Sequence, residues 1–334
     1  MRKTLLPFLW VSIFLVMALL ISIVLGSVMI PLREVLRVLV GQSSNETFST
    51  IMWSIRLPRT VLIALVGAAL AGSGAAYQGL FRNPLADPYL IGVASGAGLG
   101  AVLAMSFNLS ISVFGMLAIP AAAFLASLLT VFLVYMFARV GSDVPATNLI
   151  LAGVAVSSFT GSLTSFLMLH SNGELRRALS WLLGGVSLTG WPSILALIPY
   201  LTVGLGVLVL SGHALNLLQF GDEQASQLGL DTRRARLIII IAASLVTAAA
   251  VSFAGIIGFI GLIVPHIVRI FFGADYRRII PLSILGGASV LLLADVLARI
   301  LLAPQELPVG IVTALAGAPF FLWVLRRAKN LGHW

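Results

Sequence analysis

The residues able to do chemistry are few. Lysine occurs only at Lys3 and Lys329. A phosphate-binding loop needs Gly-Lys-Ser/Thr, with the lysine on the terminal phosphates and the hydroxyl on magnesium. Neither lysine follows a glycine, so this chain cannot hydrolyse nucleotide by that route. Cysteine is absent, which removes disulfides, thiolate metal sites and thiol catalysis. Nothing in the sequence pairs carboxylates, groups metal ligands or sets a nucleophile beside a base, so a membrane-bound enzyme is a poor reading. A carrier driven by protons or sodium would place carboxylates or histidines at mid-membrane as relays. Asp295 is the one acid well inside an apolar run, near its end, and His266 follows Pro265 in another. Sodium sites built from backbone carbonyls leave no trace in a sequence, so an ion-coupled secondary transporter acting without an ATPase stands as the alternative.

Two polar stretches suggest contact with other proteins. Leu215 to Asp231 is followed by Arg233, Arg234 and Arg236. Within it Asp222 and Glu223 suit the start of a short helix, where negative charge meets the positive end of the helix dipole, and Gly229 suits its end. Ala225 and Leu228 would then share a small apolar face. Such a helix fits a groove on a soluble protein, and equally an amphipathic linker lying on a bilayer. Upstream, Arg56-Leu-Pro-Arg59 leads into an apolar run, with Pro58 placed for a helix start.

The elements that must carry these residues are membrane helices. Of 334 residues, 60% are hydrophobic and 9% charged, and the mean hydropathy is +1.10. No water-soluble domain matches that composition. At about 20 apolar residues per crossing the chain has room for ten spans. Apolar runs place them near residues 5–28, 60–80, 90–107, 113–138, 146–169, 194–210, 237–253, 255–272, 280–302 and 308–325. The first run reads as a retained span, since it lacks a small-residue cleavage site. With the N-terminus in the cytoplasm, 13 of the 20 Lys and Arg fall inside, so the positive-inside rule favours both termini in the cytoplasm.

The seven on the other side are all arginine: Arg33, Arg37, Arg56, Arg59, Arg176, Arg177 and Arg299. Arginine forks suit bidentate capture of carboxylates on an acidic partner. They also snorkel to headgroups or pair locally, as Asp295 and Arg299 could at i, i+4. Pro84 and Pro88 impose a turn after the second span, and Gly92, Gly96, Gly98 and Gly100 give the third span GxxxG-type spacings that permit close helix approach.

At this point the residues resemble a known family, the FecCD-type permeases of bacterial importers for iron-siderophores, haem and vitamin B12. The matching pieces are Arg56-Leu-Pro-Arg59, Asn83-Pro-Leu-Ala-Asp-Pro88, Leu151-Ala-Gly-Val154, Gly221-Asp-Glu-Gln-Ala-Ser-Gln-Leu-Gly229, Gly255-Ile-Ile-Gly-Phe-Ile-Gly-Leu-Ile-Val-Pro-His266, Leu292-Leu-Ala-Asp295 and Glu306-Leu-Pro-Val-Gly310. The resemblance implies an all-α polytopic fold with about ten transmembrane helices, the type II ABC importer permease architecture, in a single domain over residues 1–334. It implies a homodimer of this permease with two cytoplasmic ATP-binding subunits and an extracytoplasmic substrate-binding protein. These would sit among lipid in the bacterial cytoplasmic (inner) membrane, with no nucleic acid involved. ATP and Mg would serve the partner ATPase, with no cofactor or metal bound by this chain. The expected cargo is a bulky metal chelate, an iron-siderophore first, then haem or cobalamin.

The same resemblance assigns roles to residues. Arg56, Arg59 and Arg299 correspond to arginines that receive glutamates of the binding protein. The segment at about 219–230, with Gly221, Asp222, Glu223, Ala225, Leu228 and Gly229, corresponds to the cytoplasmic coupling helix. Asn83, Leu85, Ala146 and Thr147 fall at the cytoplasmic gate. The family's fifth helix lines the pathway, and here it would put Ser158, Gly161, Ser162 and Ser165 on one face. Packing, with each hydroxyl bonded to a carbonyl one turn back, explains those residues equally.

Overall fold

A computed structural model describes residues 2–26, 31–40, 46–107, 117–141, 144–170, 174–186 and 190–331. A backbone inside lipid has no water to bond to, so helices, which satisfy their own amides, are the economical way across. Among the described residues the regular elements are helical. They are α1 (Arg2–Val24), α2 (Leu32–Leu39), α3 (Glu46–Ile51), α4 (Leu57–Leu80), α5 (Val93–Ser106), α6 (Ala118–Ala138), α7 (Ala146–His170), α8 (Leu175–Leu182), α9 (Trp191–Leu210), α10 (Gly212–Leu218), α11 (Asp222–Gln227), α12 (Thr232–Ala254), α13 (Ile260–Phe272), α14 (Tyr276–Ile300) and α15 (Val309–Leu331). A π-helical turn, Met52–Arg56, runs directly into α4.

Among the described residues, seven helical stretches are long and apolar enough to cross a membrane: those in α1, α4 with its lead-in, α6, α7, α9, α12 and α14. The shorter apolar helices α5, α13 and Val309–Val324 of α15 supply the other three of the ten expected spans. Boundaries move by a few residues, for local reasons. Asp231 and Asp275 accept backbone N–H groups of Arg234 and Arg277, so α12 and α14 begin earlier than hydropathy suggests. Gly255 and Phe259, at φ +75° and +70°, hold the chain out of helix and delay α13. The short helices α2, α3, α8 and α10 were not expected, because each is below span length.

Enclosure separates core helices from perimeter ones. Of the apolar windows, 83% is buried in α4, 78% in α12 and 72% in α14, against 11% in α1 and 22% in α7. Small residues make the centre possible. A Cβ at Gly67 would collide with the carbonyl of Gly287 on α14, and one at Gly74 with that of Gly261 on α13. With equally apolar lipid outside, such backbone contact is how helices gain by associating. Gly96 and Gly100 do press on α6, at Ala126 and Ala122.

The fold places two distant sites. Arg59 meets Asp295 while Gly79 lies against Tyr276, so α4 and α14 run antiparallel. At 1.5 Å per residue, the 24 residues of α4 separate its Arg56 end from its Leu80 end by about 36 Å.

Candidate functional site: an arginine cluster and a projecting helix

At the Arg56 end, the three arginines expected to act together do meet, but not as a free cationic surface. Arg56 and Arg299 are buried, and the Arg59 side chain is 13% exposed. The hub is Asp295, wholly buried on α14. Its Oδ1 accepts from Arg59 Nε at 3.0 Å and Nη2 at 2.9 Å, and its Oδ2 pairs with Arg299 Nε at 2.9 Å. The i, i+4 pairing weighed from sequence is therefore present, inside a larger network. Glu306 completes it, with Oε2 at 2.5 Å from Arg59 Nη1.

The two buried arginines also finish α1. A helix ends with carbonyls that lack an intrahelical partner and carry the negative end of the dipole. Arg56 Nη1 donates to Ile23 O at 2.8 Å and Val24 O at 2.9 Å. Arg299 donates through Nη1 to Leu25 O at 3.0 Å and through Nη2 to Ser22 O at 3.3 Å. Gly26 is where both guanidinium groups converge, since a Cβ there would lie 3.1 Å from Arg56 Nη2 and 3.2 Å from Arg299 Nη1. Beside the cluster opens a cavity of about 210 Å³, lined by Gly26, Ile51, Ile55, the three arginines and Glu306. Of the other arginines at this end, Arg37 pairs with Glu34 at 2.7 Å and Arg177 with Glu174 at 3.7 Å.

At the Leu80 end, α11 forms where the sequence suggested. Gly221 at φ +101° starts it and Gly229 at φ +87° ends it, with Leu230 N–H bonding back to Ala225 O at 3.0 Å. Asp222 and Glu223 occupy its first turn, and Arg236 of α12 anchors Asp222 at 2.5 Å. One expectation needs correction. Ala225 is fully buried, because it is the position of this short helix turned back onto the chain, so of the apolar pair only Leu228 is exposed. Phe220, at 63% exposure, supplies the other outward apolar group, and sequence reading overlooked it because it lies outside the helical repeat.

The segment joining α11 to the core is hydrogen-bonded to the end of α4, where the turn after that helix begins. Gln219 Nε2 donates to Gly79 O at 2.9 Å, and Gly79 O also accepts from Arg82 N–H at 3.2 Å. Asn83, in that turn, folds back so that its Oδ1 accepts from Leu85 N–H at 2.9 Å. Ala146 and Thr147 line a different space, a cavity of about 390 Å³ with Arg82, Asp222, Arg233 and Arg236; Asn83 and Leu85 do not line it. Residues 142 and 143 of the preceding loop lie outside those described.

Along α7, Ser158, Gly161, Ser162 and Ser165 are all exposed on one face. Their hydroxyls donate one turn back: Ser158 to Val154 O at 2.9 Å, Ser162 to Ser158 O at 2.9 Å and Ser165 to Gly161 O at 3.0 Å. The face is thus uncharged, with its hydroxyl protons already engaged.

The turn from Arg82 to Pro88 holds one unusual acid. Burial pushes the Asp87 carboxyl up to about 6, although Tyr89 N–H donates to it and opposes the rise. At the start of α14, burial alone would raise Asp275, but hydrogen bonds from Arg277 and Asn216 hold it down at about 2.

With this geometry in view, likeness to known proteins is extensive. The FecCD transport family matches residues 14–327. The hemin transport system permease of Yersinia pestis is 41% identical over 320 residues, covering 93% of this chain and 94% of that one. The cobalamin import system permease of Halobacterium salinarum is 48% identical over 281 residues, covering 84% and 74%. A solved structure described as the inward-facing conformation of a metal-chelate type ABC transporter superposes with a TM-score of 0.82 at 30% identity, over 96% of this chain and 98% of the other.

Proposed function

The chain belongs to the FecCD transport family, and we propose that it is the membrane-spanning permease of an ATP-binding cassette importer that carries a bulky metal chelate. Our first reading of the cargo is an iron-siderophore complex. Haem and cobalamin, the substrates named for its relatives, come next. Two copies would enclose the pathway, with both termini in the cytoplasm of a bacterial inner membrane. Two ATP-binding subunits, using ATP and Mg, would engage α11, while a substrate-binding protein docks at the Arg56 end.

The observation that carries this reading is α11 itself. Every residue of that helix except Ala225 is exposed, at the Leu80 end of a bundle otherwise made to live in lipid. A carrier working alone has no use for a polar helix held out on two glycines, whereas a soluble engine needs such a handle. Motion of α11 would reach the turn at Asn83 and Leu85 through Gln219, and the cavity at Ala146 and Thr147 through Asp222. The chemistry asked of the chain is then a two-state equilibrium biased by partners, with no bond made or broken. The uncharged face of α7 at Ser158, Gly161, Ser162 and Ser165 suits a pathway past which a chelate moves without a deep well.

Reconstitution tests the proposal. Proteoliposomes with this chain and its ATP-binding subunit should accumulate a ferric siderophore, hemin or cobalamin only when ATP and the binding protein are present. Uptake by the chain alone, driven by a proton or sodium gradient, would establish the secondary carrier instead.

A further inference from the structure

We propose that Glu306 is an internal competitor for Arg59: it occupies the position that a docking carboxylate takes and is displaced when an acidic partner engages this end of the chain. This rests on the docking reading above and names how that site is regulated.

The cluster holds three guanidinium groups against two carboxylates, and those two differ in kind. Asp295 is wholly enclosed and ion-paired with two arginines, one to each oxygen, so it is a permanent member. Glu306 is 38% exposed and touches the cluster at Arg59 Nη1. The arginines differ too. Arg56 and Arg299 hold the last carbonyls of α1 and cannot turn outward without uncapping it. Arg59 keeps Asp295 through Nε and Nη2 and directs Nη1 to the rim, where the 210 Å³ cavity opens.

An arriving carboxylate therefore has one exchangeable place, and Glu306 fills it. Exchange requires little else to move. The backbone around Glu306 is fastened independently of its side chain, with Leu307 N–H on Ala298 O at 3.0 Å and Gln305 N–H on Leu302 O at 2.9 Å. Rotation of the glutamate side chain into water is enough. Trading one charge-assisted hydrogen bond for another keeps the docked state weak enough to release, and admits only partners that bring a carboxylate of their own.

Binding of the cognate substrate-binding protein, labelled with a fluorophore, is measured on the full transporter in nanodiscs. Glu306→Gln removes the competing charge and should tighten docking about two- to five-fold, the worth of a partly exposed ion pair. Glu306→Asp, one methylene shorter, should fall between wild type and Glu306→Gln, and it also covers the case in which the glutamine variant fails to fold. Docking by Glu306→Gln that is unchanged or weaker, while Arg59→Gln loses it, would overturn the competitor and leave the docking reading standing. Wild-type docking by Arg59→Gln would overturn the docking reading, and the competitor with it. Failure of both Glu306 variants to fold would make the residue a structural one and also end the proposal.

Discussion

Asp295→Asn is the perturbation that most directly tests how the arginine cluster is held. The carboxylate is fully buried, takes two N–H groups of Arg59 on Oδ1 within 3.0 Å, and pairs by charge with Arg299 Nε 2.9 Å from Oδ2. Asparagine keeps the shape but loses the charge, and in one orientation points its own N–H groups at guanidinium donors. At a separation of 4 Å and an effective dielectric near 20, each lost pair is worth about 4 kcal/mol of gross Coulomb attraction. Desolvation of the carboxylate offsets part of this, and breaking a buried pair from one side costs about 3–5 kcal/mol net. We expect a loss in that range, roughly two to four decades in the unfolding equilibrium. Equilibrium unfolding in mixed nonionic and dodecyl sulfate micelles, read by the fluorescence of the six tryptophans, gives the number. Thiol-reactive dyes would be blind here, since the chain has no cysteine. Adding Arg59→Gln should recover part of the loss, because it removes one of the two guanidinium charges that lose Asp295. If Asp295→Asn lies within about 1 kcal/mol of wild type, the cluster is hydrated and the reasoning above fails.

Two further outcomes follow from the Leu80 end. Gln219→Leu keeps bulk but drops the bonds to Gly79 O and Leu215 O; the ATP-binding subunit should still co-purify and hydrolyse ATP while cargo moved per ATP falls several-fold. Leu228→Glu, which charges the exposed apolar end of the α11 segment, should instead lose the ATP-binding subunit, and unchanged coupling or unchanged yield respectively would refute each assignment. Asp87→Asn tests the raised carboxyl. The folded chain binds that proton more tightly than the unfolded one, so wild-type stability falls as pH rises from 3.8 through about 6. The asparagine variant should melt higher than wild type at pH 7.5, with the difference gone near pH 4; a difference independent of pH would exclude titration as its cause.

What was legible in the sequence was what depends on local pattern. Membrane residence and ten apolar segments follow from hydropathy alone, because lipid imposes one rule on every span. The α11 segment was equally readable, since left-handed positions at Gly221 and Gly229 bracket a short acidic-first helix wherever they occur. The fates of Arg56, Arg59, Asp295, Arg299 and Glu306 were not readable in this way. They lie as much as 250 residues apart, and local spacing reveals the i, i+4 pair of Asp295 with Arg299 but neither the reach of Arg59 to Asp295 and Glu306 nor the capping of α1. The inward turn of Ala225 was hidden for a similar reason, since periodicity marks an apolar face without saying what it meets. Pattern and composition determined which segments enter the bilayer and where a handle projects from them. Tertiary packing, through the antiparallel contact of α4 with α14, decided which charges neutralise one another inside the bundle and which one lies at its rim.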